Sequence, residues 1–334
     1  MPVSQIIKTY LLPLSILILG IVIGYSIKEY ADNTFLSLDT EIRENGNYQY
    51  INPLLQCDMG HEYISKYAIS PFDSKVSDAI NKEKIDNNIS FASVYFRDLN
   101  NGSWFGINEN EKFRPASLLK VVIMIYYFRL EEQKPGSLDK QFVYNGEDLG
   151  LIQNFKPSHQ VEIGKKYSIR ELIKYMIKYS DNKATAKLYE MIDGNKFINI
   201  FSTFGIHTPT NFSDQEFLTI KQYASFFRVL FNASYVRDDL SEKALSLLTQ
   251  TEFRDGIKGS IPGGVDVSNK FGEVILDSGV KELNDCGIVY YPKKPYLICI
   301  MTRGDDFSKM SKSIQKISKF VYDEVDRQVK EKSI

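Results

Sequence analysis

The chain has 334 residues, 43 % of them apolar and 25 % charged, with a formal net charge of −1. Those proportions are ordinary for a folded protein and give no electrostatic case for a nucleic-acid partner. Three cysteines (Cys57, Cys286, Cys299) are too few for a disulfide framework and leave at least one unpaired within the chain, while His61, His159 and His207 match no metal-ligand spacing, which argues against a metal or a Ser-His-Asp site.

Tyr10 to Ile27 is an uncharged run of eighteen residues. As a helix it would reach about 27 Å, close to the thickness of a hydrocarbon core. A cleavable signal peptide would have a shorter apolar region ending in small residues. This run ends in Gly24-Tyr25-Ser26-Ile27-Lys28, so it reads as an uncleaved anchor. Lys8 and the terminal amine flank one side, whereas Lys28, Glu29 and Asp32 nearly cancel on the other. The expected topology is residues 1–9 in the cytoplasm, 10–27 in the cell membrane and everything after them outside.

Residues 28–70 read as a polar stalk and lead-in. Pro71 to Glu83 is an expected helix with Asp73 or Ser74 as cap. Ile89 to Phe96 and Trp104 to Ile107 are expected strands turned by Asn100-Asn101-Gly102. From Leu118 to Leu130 only Lys120 and Arg129 are not apolar, which marks a helix buried in the middle of a domain. Ser117 stands at its mouth, and residues three apart share a helix face, so Ser117 and Lys120 are expected to touch. Burial would lower the amine's pKa and make it a proton acceptor, and the helix N-terminus offers N–H groups to an oxyanion.

Ser168 and Glu171 make a capping box for the next helix, which halts at Tyr179-Ser180-Asp181-Asn182 before another runs to about Ile192. Helices follow over Asn195–Phe204, Thr219–Phe231 and Leu240–Leu248. Strands are expected over Val265–Val274, Gly287–Tyr291 and Tyr296–Thr302, the last two joined through Pro292-Lys293-Lys294-Pro295. Ser308 to about Lys330 closes the chain as an amphipathic helix with Ile314, Ile317, Val321 and Val325 on one face. The expected fold is α/β (more narrowly α+β): an antiparallel sheet flanked by helices, with a helical lobe over about 117–250 inserted into a domain spanning 71–334.

Three motifs stand in order: Ser117-x-x-Lys120, Ser180-Asp181-Asn182 and Lys270-Phe271-Gly272. Each is weak alone; S-x-x-K also occurs at Ser313/Lys316 and Ser180/Lys183. Their order and placement resemble the class A β-lactamases and penicillin-binding proteins, with S-x-x-K, S-D-N and K-T-G. That resemblance implies Ser117 as the acylated nucleophile, Lys120 as its base, Ser180 as the proton donor to the leaving nitrogen and Lys270 as positive charge. It implies Asn182, Gly272 and Glu273 on the substrate side, with the Glu273 N–H pairing with that of Ser117 in an oxyanion hole, and Asp181 tying two helices. No cofactor or metal is implied. The implied partner is a small-molecule β-lactam or a peptidoglycan stem peptide, met by a domain that Tyr10–Ile27 holds to the membrane.

Two departures stand out. Phe271 replaces the hydroxyl that would bind a substrate carboxylate. The stretch from His207 to Thr219 is short for the loop whose glutamate activates the deacylating water; Asp214 and Glu216 are its nearest carboxylates, and both also suit the start of the next helix. The implied activity is therefore a β-lactamase-like acyl hydrolase, with a D-Ala-D-Ala peptidase or transpeptidase, or a catalytically dead wall-binding relative, as the alternatives.

Overall fold

A computed structural model describes residues 48–52, 69, 71–86, 88–148, 150, 153–209 and 215–332. The expected anchor, most of the stalk, Cys57, His61 and Asp214 lie outside the described residues. Among the described residues no helix is long and apolar enough to cross a membrane.

The strands are β1 (Phe91–Asp98), β2 (Trp104–Ile107), β3 (Lys112–Phe113), β4 (Gln141–Val143), β5 (Lys166–Ser168), β6 (Leu218–Thr219), β7 (Val267–Ile275), β8 (Lys281–Val289) and β9 (Tyr296–Gly304). The helices are α1 (Asp73–Ile85), α2 (Leu119–Gln133), α3 (Ile169–Lys178), α4 (Asn182–Glu190), α5 (Gly194–Thr203), α6 (Ile220–Phe231), α7 (Asp238–Thr249) and α8 (Phe307–Lys332). Five strands form one antiparallel sheet in the order β2-β1-β9-β8-β7, which leaves β7 at an edge. The short pairs β3–β6 and β4–β5 had no sequence signal strong enough to predict.

Strand alternation gives the sheet two apolar faces. Val94, Phe96, Leu283, Ile298 and Ile300 pack with Val76 and Ile80 of α1 and with Ile314, Ile317, Val321 and Val325 of α8. Tyr95, Cys286, Ile288, Leu297, Cys299 and Met301 face the other way, towards α2, α3 and α6. Cys286 and Cys299 are register partners on β8 and β9 and are joined by a disulfide. Helix α2 is the centre of the second core, with Lys120 through Phe128 all buried. It is the all-round apolar helix that its composition called for.

The capping box of α3 is present, with the Ser168 hydroxyl accepting from Glu171 N and the Glu171 carboxylate accepting from Ser168 N. Such a cap stabilises a helix start by about 1 kcal/mol. Two expectations need correction. Neither Asp73 nor Ser74 caps α1, whose N-cap is Phe72 with no side-chain bond. Strand β8 begins at Lys281 rather than Gly287, because Glu282, Asn284 and Asp285 interrupt its apolar pattern yet lie buried within it. Two of these have partners: Glu282 binds Arg303, and Asp285 accepts from Asn269 Nδ2 and Ile257 N. The second S-x-x-K is structural, since Ser313 Oγ and Lys316 Nζ both donate to the buried carboxylate of Glu83 and tie α8 to α1.

Candidate active site

The turn that carries Ser117 is not yet α-helix. Ala116 to Leu118 is a 3₁₀ turn, and Ala116 holds a left-handed φ of 47°. A non-glycine residue there costs about 1–3 kcal/mol, so the surrounding structure must impose it. Part of that structure is local: Leu118 N donates to Pro115 O, and the buried hydroxyl of Tyr223 on α6 donates to Leu118 O at 3.1 Å. Gly272 supplies the rest. A Cβ at that position would stand 3.0 Å from Pro115 O and 3.1 Å from Leu118 N, so a larger residue would push the turn away by a few tenths of an ångström. Strand β7 is thereby brought against the turn that carries Ser117.

Ser180 lies between α3 and α4 and is also left-handed, with φ 57°. Asp181 fixes that junction, its buried carboxylate accepting from Lys183 N at 3.0 Å and Val161 N at 2.9 Å. It thus caps α4 and holds the segment ahead of β5, while its own N–H donates to Tyr175 O of α3. Burial raises its pKa, against the pull of those N–H groups.

Lys120, Ser180, Asn182 and Lys270 are 3 %, 3 %, 6 % and 1 % exposed, so all four meet away from solvent. Lys120 Nζ donates to Ser180 O at 2.7 Å and Asn182 Oδ1 at 2.7 Å, and lies 3.1 Å from Ser180 Oγ. Lys270 Nζ lies 3.0 Å from the same Ser180 Oγ and donates to Phe271 O at 2.9 Å. No hydrogen bond joins Ser117 to Lys120 among the described residues. The i,i+3 rule assumes a regular helix from Ser117 onward, whereas Ser117 sits in the 3₁₀ turn and Lys120 in the helix after it.

Burial drives both amines toward the neutral form. The Lys120 pKa falls well below the ordinary lysine value, mainly through desolvation and then through the charge on Lys270, with Asp181 and Glu273 opposing. Lys270 falls to about 7 by desolvation, against Asp285 and Glu273. Asp285 itself rises to about 6 for the same reason. It anchors β7 beside Lys270 through Asn269, whose Oδ1 accepts from Thr251 Oγ1 at 2.7 Å.

Phe271 does more than lack a hydroxyl. Its ring stacks on Phe253 at 3.8 Å and meets the edge of Phe155 at 5.8 Å, while Lys270 Nζ lies 4.2 Å from its centre. Residues 153–155 cross the same edge of β7. Gln153 Nε2 donates to Ser180 O at 3.0 Å, and Asn154 N and Phe155 N both donate to Glu273 Oε1 at 2.9 Å. Sequence reasoning missed Gln153, Phe155 and the Glu273 side chain, because no motif or period links residues about 120 apart.

Glu216, one of the two candidate water-activating carboxylates, is bound instead to Arg303, which also holds Glu111 and the buried Glu282. A cavity of about 580 Å³ lined by Glu111, Glu216, Leu276, Val280 and Arg303 opens beside that cluster, and neither Ser117 nor the two amines line it.

The chain is similar to several known proteins. The extended-spectrum beta-lactamase PER-1 of Pseudomonas aeruginosa is 23 % identical over 219 residues, which is 59 % of this chain and 70 % of that one. A beta-lactamase from Sphaerobacter thermophilus superposes with a TM-score of 0.65 at 18 % identity, covering 77 % of this chain and 99 % of its own. The class A beta-lactamase from Mycobacterium abscessus gives 0.63 at 20 % identity over 74 % and 98 % of the two chains. A mutant of PBP-A, solved as an acyl-enzyme complex with penicillin G, gives 0.64 at 18 % identity over 77 % and 98 %. These structural likenesses establish the fold. Residues 74–325 match the family model itself, and on that match the chain belongs to the beta-lactamase enzyme family.

Proposed function

We propose that the protein is a serine acyl hydrolase that forms an acyl-enzyme on Ser117 and hydrolyses β-lactam or related amide bonds. The observation that carries this reading is one hydroxyl, Ser180 Oγ, between two buried amines at 3.1 and 3.0 Å. Packing alone requires neither amine, and each is costly to bury.

A neutral amine has two N–H donors and one lone pair. Two of the three neighbours of Lys120, Ser180 O and Asn182 Oδ1, can only accept, which uses both donors. The lone pair is left for a hydroxyl. Ser117 Oγ attacks the substrate carbonyl and its proton passes to Lys120. Ser180 gives its proton to the departing nitrogen and recovers one from Lys120. Lys270 steadies the Ser180 oxygen throughout. The backbone N–H groups of Ser117 and Glu273 receive the oxyanion. Asn182, its Oδ1 turned to Lys120, has its Nδ2 for a substrate carbonyl. No cofactor enters the scheme. The apolar run Tyr10–Ile27 supports a single-pass anchor in the cell membrane with this domain outside.

A second reading, a peptidoglycan peptidase with a long-lived acyl-enzyme, is favoured by the engagement of Glu216 with Arg303. Intact-mass spectrometry of the full chain with penicillin G tests both readings. A transient adduct, absent in Ser117→Ala, is expected of a hydrolase, and a lasting one of a peptidase. No adduct with any penicillin or thioester acyl donor would overturn the acyl-enzyme.

A further inference from the structure

The Glu273 side chain occupies an unusual place for an acid. Its backbone N–H belongs to the proposed oxyanion hole, so its carboxylate is within one side chain of the reacting carbonyl. Oε1 is satisfied by Asn154 N and Phe155 N. Oε2 is buried and has no hydrogen-bond partner among the described residues. A buried carboxylate oxygen without a donor calls for an explanation, and a ligand that brings a donor is one.

Strand period two puts Phe271 and Glu273 on one face of β7, with Lys270 and Gly272 on the other. The partners agree: Phe155 and its neighbours meet Phe271 and Glu273, whereas Lys270 meets Ser180 and Gly272 meets the Ser117 turn. A substrate lying along β7 with its carbonyl in the proposed oxyanion hole would have that aromatic ring and that carboxylate beside it. Lys270, the cation of this stretch, already gives two of its three donors to Ser180 Oγ and Phe271 O.

We propose that the Glu273 carboxylate is a specificity determinant, making the leaving-group side of the cleft a subsite for an N–H donor, neutral or cationic, and disfavouring a carboxylate there. The inference rests on the acyl-enzyme reading above and sets a preference within it: acyl donors whose leaving group ends in an amide or an amine react faster than those ending in a carboxylate. The acid both repels a carboxylate and supplies the acceptor that an amide or ammonium needs.

Three thioesters with one acyl group test this in the full chain, with leaving thiols thioglycolate, thioglycolamide and the N-(2-aminoethyl) amide of thioglycolate. Each reaction forms the Ser117 ester bond, breaks the carbon–sulfur bond and passes the serine proton to the departing thiolate, so thiol release reads it. We expect kcat/KM for the carboxylate to be lower than for the two amides by about tenfold, a charge contact weakened nearly to its strength in bulk water. Glu273→Gln keeps the backbone N–H and an oxygen for Asn154 and Phe155, and should remove most of that gap. Equal rates for the three in the wild type, or faster reaction of the carboxylate, overturn the proposal without need of a variant. A gap that persists in a folded Glu273→Gln also overturns it. Failure of all three to acylate Ser117 is a different result, a failure of the acyl-enzyme reading itself.

Discussion

Lys120 and Lys270 share one hydroxyl: their Nζ atoms lie 3.1 and 3.0 Å from Ser180 Oγ, although they come from the central helix and an edge strand. Two ammonium ions could not be held so near each other in a dry interior. The arrangement calls for at least one neutral amine, and burial favours the neutral form of Lys120. Ser180 is then the junction through which a proton moves.

Lys120→Ala should leave the fold intact and slow acylation of Ser117 by about 10²- to 10⁴-fold, the usual loss of a general base. Ser180→Ala should slow it within the same range, because Lys120 keeps Ser180 O and Asn182 but loses the hydroxyl that returns the proton. Stopped-flow acylation with a chromogenic cephalosporin measures both, and wild-type rates in a folded variant would remove that residue from the mechanism.

Deacylation is expected to limit turnover. The Glu216 carboxylate is bound to Arg303. Pre-steady-state traces should show a burst equal to the enzyme concentration and then a slow phase that Glu216→Gln leaves unchanged. A fast linear course abolished by Glu216→Gln or Asp214→Asn would place the water-activating base in the short loop.

Stability should rise with pH above neutrality. The folded Lys270 pKa of about 7 lies below the ordinary 10.5, so between those values the unfolded chain binds more protons than the folded one. Its contribution is therefore most favourable above 10.5, and is lost progressively as pH falls towards 7. Lys120 acts in the same sense. Urea midpoints should increase from pH 7 to pH 9, and Lys270→Met should flatten that increase. A midpoint falling equally in both proteins would show that neither amine is held neutral.

If Tyr10–Ile27 is an uncleaved anchor, the mature protein keeps its first residues and resists extraction by salt or carbonate. N-terminal sequencing decides the matter: a mature start between Ser26 and Asp39 would make the run a signal peptide.

What could be read in advance depended on how local each cause is. The capping box of Ser168 and the turn after β1 involve residues a few positions apart, and period 3.6 alone located α8. The three motifs pointed to Ser117, Ser180 and Lys270 because order along the chain survives folding. The partners of Lys120, Ser180 and Asn182, could not be read, since they come from a junction between two other helices that no local pattern links to it. Strand β8 was cut short for a related reason. Glu282 and Asp285 look like surface residues until Arg303 and Asn269 are known to meet them.

The placement of β7 at the sheet edge has a consequence for how the protein fails. Ser117 rides on the turn that opens a helix enclosed by the larger core, but Lys270, Gly272 and Glu273 stand on a strand whose only strand partner among the described residues is β8. Edge elements open at lower free energy than the centre of a domain. On gentle warming or in dilute urea, the two halves of the site should therefore part company while the buried tyrosines still report a native interior. Inactivation would precede melting, and a brief return to mild conditions would restore the site without refolding the chain.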